Sequence, residues 1–348
     1  MSKRVTLQDV AKTAGVTVST AHKALRGQKG VSEKKRREIL EVAASLGYVR
    51  EQQAQEKNVR VAAVFPKPVH ENKYFYRRLW QGIRERTQQL SSARFSVQEY
   101  MFEGAAAQQL ELLEQLYREK AGELEALLTI IWNEREYTDL IDRFTQAGVK
   151  VFTVSADAPS SRRVSSIMTN PNRTGRLAAE FLGPRIPAEG RVVLIGTRRD
   201  TINHAQIVHG FSSEMQEIHP AVEIMELYES VQYPEKLCQT LIGLLRSFDD
   251  IRAVYANNAR ATAGLCKALN RSDISPDIQI LGSECFAESA EQLKNGMLCG
   301  ILDQNAYQQG FMGLSAVFDS LVLEKQVPPL CEICPALYLK NNLPVEFL

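Results

Sequence analysis

"VTLQDVAKTAGVTVSTAHKALRG", Val5 to Gly27, carries several helix signals in close succession. Thr6 followed by Asp9 has the form of a capping box, with Asp standing in for Glu, so a helix opens there. Leu7, Val10, Ala11 and Ala14 fall on one helical stripe and form its inner face. Gly15 ends this helix, because glycine takes the left-handed conformation without a Cβ penalty. Thr17 then caps a second helix, from about Val18 to Leu25. Further on, Ser32 caps a third, whose inner face is Ile39, Val42, Ala43 and Leu46. Two short helices around a glycine turn, closed by a third, make a helix-turn-helix. Such a unit lays the N-terminal residues of its second helix against base edges in a major groove.

The charge layout agrees with this. The 348-residue chain has a formal net charge of only +1. Residues 1–60, however, hold 13 Lys+Arg against 6 Asp+Glu, and the remainder holds 29 against 35. A basic end on an acidic body concentrates a positive field where a polyanion can dock. The length suggests two or three domains, and 44% hydrophobic with 24% charged residues is the composition of a soluble globular protein. No apolar run is long enough to span a bilayer. The first residues, MSKRVTLQDVAKTAG, lack the apolar core of a signal peptide. A cytoplasmic location is therefore expected, with Cys238, Cys266, Cys285, Cys299, Cys331 and Cys334 as reduced thiols.

The stretch "VTLQDVAKTAGVTVSTAHKALRG…VSEKKRREILEVAASLGY" resembles, without a gap over residues 5–48, the lactose-repressor (LacI-type) family of bacterial transcription regulators. The resemblance implies that Val18, Ser19 and Lys23 read bases. It implies that Thr6, Thr17, Thr20, His22, Arg26 and Ser32 contact phosphates. The chemistry suits those roles: hydroxyls and guanidinium groups match phosphate oxygens. Lys23 can donate to guanine O6 and N7, and Val18 can touch a thymine methyl. Family members often carry Val-Ser-Arg where this chain has Ala21-His22-Lys23, so a different operator is expected. Leu7, Val10 and Ala11 are core positions. Lys34-Lys35-Arg36-Arg37 reads as a solvated helix face.

After the third helix the family has a hinge that folds on DNA and wedges a Leu into the minor groove, where apolar insertions kink the duplex. Here that segment, "VREQQAQEKNVR" from Val49 to Arg60, is about one helical turn shorter and contains no Leu. The sequence thus divides into residues 1–48, a DNA-binding head; 49–60, a short polar hinge; and 61–348, an effector-binding and dimerisation body.

In the body, short apolar runs alternate with amphipathic stretches. "VRVAAVF", "RFSVQEYMF", "ALLTIIW" and "VKVFTVS" read as strands, with helices over 75–90, 105–120 and 136–147 between them. A second series follows: "RVVLIG", "VEIMELY", "RAVYAN", "IQILGS" and "LCGILD". Two such series predict an α/β body of two Rossmann-like subdomains with parallel sheets, and a ligand held between them outside the carboxyl ends of the strands. The order resembles the type I periplasmic-binding-protein fold, closest to its ribose-type branch. "SSIMTNPNRTGRLAAEFLG" is similar to that fold's crossover, and "ILGSECFAESAEQLKNGMLCGILDQNAYQQGFMGLSAVFDSL" to its end region.

Sugar sites combine aromatic faces with amides, carboxylates and guanidinium groups that bond adjacent hydroxyls. Candidates stand at the predicted strand ends: Phe75, Tyr76, Trp132, Asn133, Asn203, His204, Gln206, Asn257, Asn258, Glu284 and Gln304. Tyr74 and Trp80 read as structural. The resemblance implies a ligand-gripping Arg where this chain has Ile207, and an Asp where it has Asn258. Both differences remove charge and favour a neutral sugar as effector.

No G-x-G-x-x-G follows a strand and no P-loop is present, so no cofactor is expected. Cys331-x-x-Cys334 is a single pair with no partner at zinc spacing. His204 and His209, five apart on a helix, do not share a face. No catalytic constellation stands out, and no enzymatic activity is expected. The sequence predicts a homodimeric, sugar-responsive regulator of operator DNA. The alternatives it leaves are a solute-binding protein with no DNA role, an enzyme built on the same halves, and a regulator that answers to a non-sugar ligand or a protein partner.

Overall fold

The computed structural model describes residues 6–25, 30–45, 58–90, 95–103, 106–132, 134–196, 202–227, 234–271 and 275–347. The chain forms two compact units, one over residues 1–58 and one over most of residues 59–348, with 322–324 grouped with the first.

In the first unit, α1 (Leu7–Thr13) opens on the capping box read from the sequence. Thr6 Oγ1 accepts from Asp9 N at 3.3 Å, and Thr6 N donates to Asp9 Oδ2 at 2.7 Å. Gly15 turns the chain at φ 63°. Thr17 Oγ1 accepts from Thr20 N at 3.1 Å at the start of α2 (Val18–Leu25). Ser32 Oγ accepts from Lys35 N at 3.3 Å at the start of α3 (Glu33–Ser45). Val10, Ala11, Ala21, Ala24, Leu25, Ile39 and Ala43 form the buried centre, with Leu7, Ala14, Val16, Val31 and Val42 packed around it. Leu46, Arg26 and most of the expected hinge lie outside the described residues.

The second unit has two lobes. In chain order they are built from β1 (Val59–Pro66), α4 (Lys73–Leu90), β2 (Phe95–Phe102), α5 (Ala106–Lys120), β3 (Ala126–Thr129), α6 (Glu134–Gln146), β4 (Lys150–Val154) and β5 (Ser165–Met168). Then come α7 (Pro171–Leu182), β6 (Glu189–Ile195), α8 (Ile202–Ile218), β7 (Ala221–Leu227), α9 (Pro234–Ser247), β8 (Ile251–Ala256), α10 (Ala259–Leu269) and β9 (Gln279–Ser283). The chain ends with α11 (Ala287–Lys294), β10 (Gly300–Asp303), α12 (Ala306–Leu321), β11 (Leu330–Glu332) and β12 (Ala336–Tyr338). One sheet has the order β11-β5-β4-β3-β1-β2 and the other β12-β10-β9-β8-β6-β7. The observed pairs are parallel except β10 with β12. Continuous apolar runs such as Val61–Phe65 are buried on both faces, as a helix-covered parallel sheet requires. The chain passes from the first lobe to the second after β5 and returns with α12, which packs on α4, β3, β4 and β5. It crosses again between β11 and β12.

Each lobe closes one helix pair through glycine. An added Cβ at Gly82 of α4 would lie 2.1 Å from Tyr307 O of α12, and one at Gly310 would lie 2.2 Å from Leu79 O. In the other lobe, Gly175 of α7 stands in the same relation to Ile207 O of α8 at 2.0 Å, and Gly210 to Asn172 O at 2.1 Å. No side chain fits at these crossings. Three short strands, β5, β11 and β12, do not stand out in the sequence. They have only four, three and three residues and are defined by their pairing rather than by a pattern of their own. Among the described residues no helix is long and apolar enough to cross a membrane.

Candidate functional sites

On the first unit, α2 turns Ala21, Ala24 and Leu25 inward. Val18, Ser19 and Lys23 are exposed on the other side, Val18 at 43%, with His22 half-buried beside them. An outward valine of that exposure is apolar area left open to a partner. The hydroxyls of Thr6, Thr17, Thr20 and Ser32 all sit at helix starts. Thr17 and Thr20 lie 2.8 Å apart, and Thr6 Oγ1 donates to Asp9 Oδ2 at 2.6 Å. Helix N-termini aim N–H groups outward, a disposition that suits phosphate. Of the basic run of α3, Lys34 and Arg37 are exposed while Lys35 and Arg36 are half-buried, Lys35 pairing with Glu38 at 2.8 Å and Arg36 with Glu33 at 3.3 Å.

In the second unit, the C-terminal ends of the strands carry the named polar residues. Three non-glycine residues there have left-handed backbone: Ser155 after β4 at φ 67°, Glu284 after β9 at φ 65° and Asn305 after β10 at φ 56°. Such conformations persist only where surrounding contacts hold them. A hydrogen-bond chain joins the first two, while Asn305 N donates to Asp303 Oδ1 at 2.7 Å and its Nδ2 to Cys334 O at 2.6 Å. Asn203 of α8 donates to Ser155 O across the lobes. Ser155 Oγ donates to Gln309 Oε1 at 2.6 Å, Gln309 Nε2 to Gln304 O at 2.7 Å, and Gln304 Nε2 to Glu284 Oε1 at 3.0 Å. Asn203, Gln304 and Glu284 are thereby linked through Ser155 and Gln309, neither of which the sequence singles out.

Glu284 is 3% exposed, and burial together with the Asp303 carboxylate pushes its pKa well above the ordinary value. Burial also raises Asp303, against the N–H groups of Cys285 and Asn305 that its carboxylate accepts. Both line a small cavity of about 30 Å³ with Arg78, Tyr307, Tyr338 and Phe347. Asn203 and Gln206 line a different cavity of about 240 Å³, bounded also by Glu134, Asp157, Met168 and Glu332. Asp157 there is neutralised by Arg163, whose Nη2 lies 2.7 Å from Oδ2.

Phe75 and Tyr76 open α4, with ring centroids 5.2 Å apart and planes at 82°; Phe75 is half-buried and Tyr76 buried. Trp132 is half-buried, and its Nε1 is enclosed without a hydrogen-bond partner. Gln109 braces the loop before it, donating to Thr129 Oγ1 at 3.0 Å and Ile130 O at 2.6 Å while accepting from Tyr137 at 2.9 Å. Asn133 lies outside the described residues, and His204 is half-buried on α8. Asn257, 1% exposed, accepts from Asn258 Nδ2 at 2.7 Å, and its own Nδ2 has no partner. Asn258 caps α10, accepting from Ala261 N at 3.0 Å. Ile207 is 1% exposed and belongs to the α7–α8 core. Trp80 is core as well, its Nε1 donating to Pro66 O at 3.0 Å. Tyr74 bridges the lobes: its ring stacks on Phe286 at 3.9 Å and its hydroxyl donates to Glu288 at 2.9 Å. The cysteines are free, and burial pushes Cys266 and Cys285 up to about 12. Among the described residues no cluster of three or more His, Cys, Asp or Glu could hold a metal ion.

Residues 62–325 match the family model described as Periplasmic binding protein domain, and residues 6–51 match that of the Bacterial regulatory proteins, lacI family. The chain is 21% identical over 219 residues to a D-ribose/D-allose-binding protein of Pseudomonas aeruginosa, covering 61% of this chain and 67% of that protein. Among solved structures it resembles GanP, a glucose-galactose binding protein from Geobacillus stearothermophilus. The TM-score is 0.71 at 20% identity, over 83% of this chain and all of that one. It also resembles an ABC transporter solute binding protein from Burkholderia graminis, in complex with D-arabinose. There the TM-score is 0.72 at 18% identity, over 82% and 96% of the two chains.

Proposed function

The chain belongs to the periplasmic binding protein domain family and carries a lacI-family DNA-binding domain at residues 6–51, and from that premise we propose a ligand-responsive transcriptional regulator. In this reading residues 1–48 are the DNA reader, 49–60 the hinge and 61–348 the effector-binding and dimerisation body. Two heads of a homodimer read two half-sites of a near-palindrome. A small sugar-like effector binds between the lobes and, by favouring one lobe arrangement, changes the affinity for operator DNA. The coupling is reciprocal, typically ~1–3 kcal/mol. The proposed direction is repression, with binding and no turnover.

The observation that carries this proposal is that one chain matches both the lacI-family model, with Val18, Ser19 and Lys23 outward on α2, and the periplasmic binding protein domain model. Val18, Ser19 and Lys23 are assigned to bases; Thr6, Thr17, Thr20, His22, Arg26 and Ser32 are assigned to phosphates. In the cleft, Phe75, Tyr76, Trp132, Asn133, Asn203, His204, Gln206, Asn257, Asn258, Glu284 and Gln304 are the candidate effector contacts. The expectation of a neutral sugar rests on Ile207 and Asn258, where charge implied by the resemblance is missing.

Selection of bound sites from random duplexes, followed by salt titration on the selected sequence, tests the proposal. Specific binding should weaken steeply as salt rises, and Lys23→Ala should cost about 1–3 kcal/mol on that sequence. Lys34→Ala, on the solvated face of α3, should cost much less. Failure to enrich any sequence would sink the DNA-reading role.

A further inference from the structure

Cys331 and Cys334 stand where the two lobes are joined. The chain passes between the lobes three times, and these thiols lie on the last passage, from β11 of the first sheet to β12 of the second. The other two passages are tied to it there. Ile333 N donates to Met168 O at 2.8 Å, at the end of β5, where the chain first leaves the first lobe. Cys334 O accepts from Asn305 Nδ2 at 2.6 Å, just before α12 carries the chain back. Glu332 accepts from Asn170 Nδ2 at 3.3 Å and pairs with Arg173 at 3.1 Å, both at the start of α7.

These two thiols differ from the rest. Cys238, Cys266 and Cys285 are buried, and burial pushes Cys266 and Cys285 up to about 12 and the half-buried Cys299 up to about 11. Cys331 is half-buried, Cys334 is exposed, and no residue from Leu330 to Asn342 is buried. β11 is also the outer strand of its sheet, three residues long and paired on one side only. A strand edge held by few hydrogen bonds and no core side chain opens locally at small cost. Residues 331–338 run extended, with no turn or bend, and Pro335 favours that conformation at Cys334. Three residues of extended chain span roughly 10 Å between Cα atoms, and the odd spacing sets the two side chains on opposite sides. A disulfide needs Cα atoms about 4.4–6.8 Å apart. The reduced and bridged segments are therefore two different backbone arrangements. A bridge requires Glu332 and Ile333 to fold into a turn, which takes them away from β5 and α7.

We infer that Cys331 and Cys334 are a reversible dithiol–disulfide site, oxidised by a small-molecule disulfide of the glutathione type, and that the bridge releases the last lobe passage from the other two. The step is a pair of thiol–disulfide exchanges. The exposed Cys334 thiol loses its proton, and its sulfur attacks one sulfur of the oxidised glutathione. The glutathione S–S bond breaks and one glutathione thiolate leaves. The Cys331 thiol then loses its proton, attacks the Cys334 sulfur of the mixed disulfide and expels the second glutathione thiolate. Two electrons pass from the two protein thiols to the glutathione disulfide, and the two protons end on the two glutathiones released. Lobe arrangement then depends on thiol state as well as on ligand, and neither DNA nor effector is needed for it.

The test is exposure of the full chain, without DNA or sugar, to oxidised glutathione, followed by acid quenching, denaturation and alkylation of the remaining thiols. Wild type, Cys331→Ser, Cys334→Ser and Cys299→Ser are compared. Mass spectrometry should count six labels on reduced wild type and four on oxidised wild type, with peptide mapping placing the bridge between residues 331 and 334. Reduced glutathione should restore all six. Cys299→Ser should form the same bridge, Cys331→Ser should stop at the mixed disulfide on Cys334, and Cys334→Ser should form no bridge. Hydrogen exchange in peptides covering 165–168 and 330–338 should be about tenfold faster or more in oxidised than in reduced wild type, and unchanged by oxidant in Cys334→Ser. Glutathione retained on wild type as a mixed disulfide, a bridge between two copies of the chain, or no oxidation at these positions overturns the site. A bridge that leaves exchange unchanged in both peptides overturns its coupling to the lobe passages.

Discussion

The two lobes of the body are nearly the same scaffold with different charge at their facing ends. Their sheets have equivalent strand orders, and each lobe locks one helix pair by glycine against backbone, Gly82 with Gly310 and Gly175 with Gly210. At the strand ends the likeness stops. The first lobe pairs its buried charge, Asp157 with Arg163, whose side chains are 18% and 7% exposed. The second sets the buried Glu284 beside the half-buried Asp303, two carboxylates that line one small cavity. Scaffold geometry tolerates little variation, because helices must meet sheets at fixed distances. Charge at the strand ends is free to differ.

The largest effect should come from breaking what the lobes share. At Gly175, alanine would force α7 and α8 apart, since its Cβ would sit 2.0 Å from Ile207 O. We expect Gly175→Ala to cost about 3 kcal/mol or more, as overpacking against backbone cannot be relieved by a rotamer change. Gly82→Ala should cost a similar amount in the first lobe. Urea unfolding of the four single variants at 82, 175, 210 and 310 would check this. A loss in one lobe only would mean that the two helix pairs are not equivalent.

The next largest effect should come from the paired charge of the first lobe. Asp157→Asn strands the nearly buried Arg163, and we expect a loss of about 2–3 kcal/mol, discounted for partial exposure of the carboxylate. Equal stability of the variant by denaturant titration would show that the pairing contributes nothing net.

Legibility followed the distance over which each feature is decided. The first unit could be read almost residue by residue, because Thr6 with Asp9, Gly15, Thr17 and Ser32 act within a few residues of themselves. The body's α/β alternation was equally plain in runs such as Val61–Phe65, whereas β5, β11 and β12 are too short to carry a pattern. The cleft is decided over long separations. Ser155 meets Gln309 across 154 positions, and Tyr74 meets Glu288 across 214. Gln109 gave a usable signal only in hindsight: it is a polar residue on the buried face of an amphipathic helix.

The neighbouring acids of the second lobe give a third effect, with a sign that distinguishes them from the Asp157 pair. Burial raises both Glu284 and Asp303, so each holds its proton more tightly folded than unfolded. Stability from this source is therefore fully present below the ordinary carboxylate range and falls as pH rises towards the raised native values. Glu284→Gln keeps an acceptor for Gln304 and removes the charge. It should melt above wild type at about pH 8, with the gap closing towards about pH 4. A gap that widens on acidification would mean that Glu284 is ionised in the folded chain.

The smallest effect sharpens the glycine comparison by reversing its sign. Gly243 lies in α9, and a Cβ added there meets nothing within 4 Å. The backbone is helical, so alanine adopts it without strain. Glycine in a helix interior costs up to about 1 kcal/mol relative to alanine, chiefly through the freedom that the unfolded chain gains. Gly243→Ala should therefore stabilise the body by roughly 0.5–1 kcal/mol, while the same exchange at Gly175 destabilises it. Unfolding of the two variants and their double would separate the causes. α9 packs in a core cluster with α10, separate from that of α7 and α8, so the effects should add. A destabilised Gly243→Ala would show that glycine is needed in α9 for a contact made outside this single chain, such as the partner protomer of the proposed dimer.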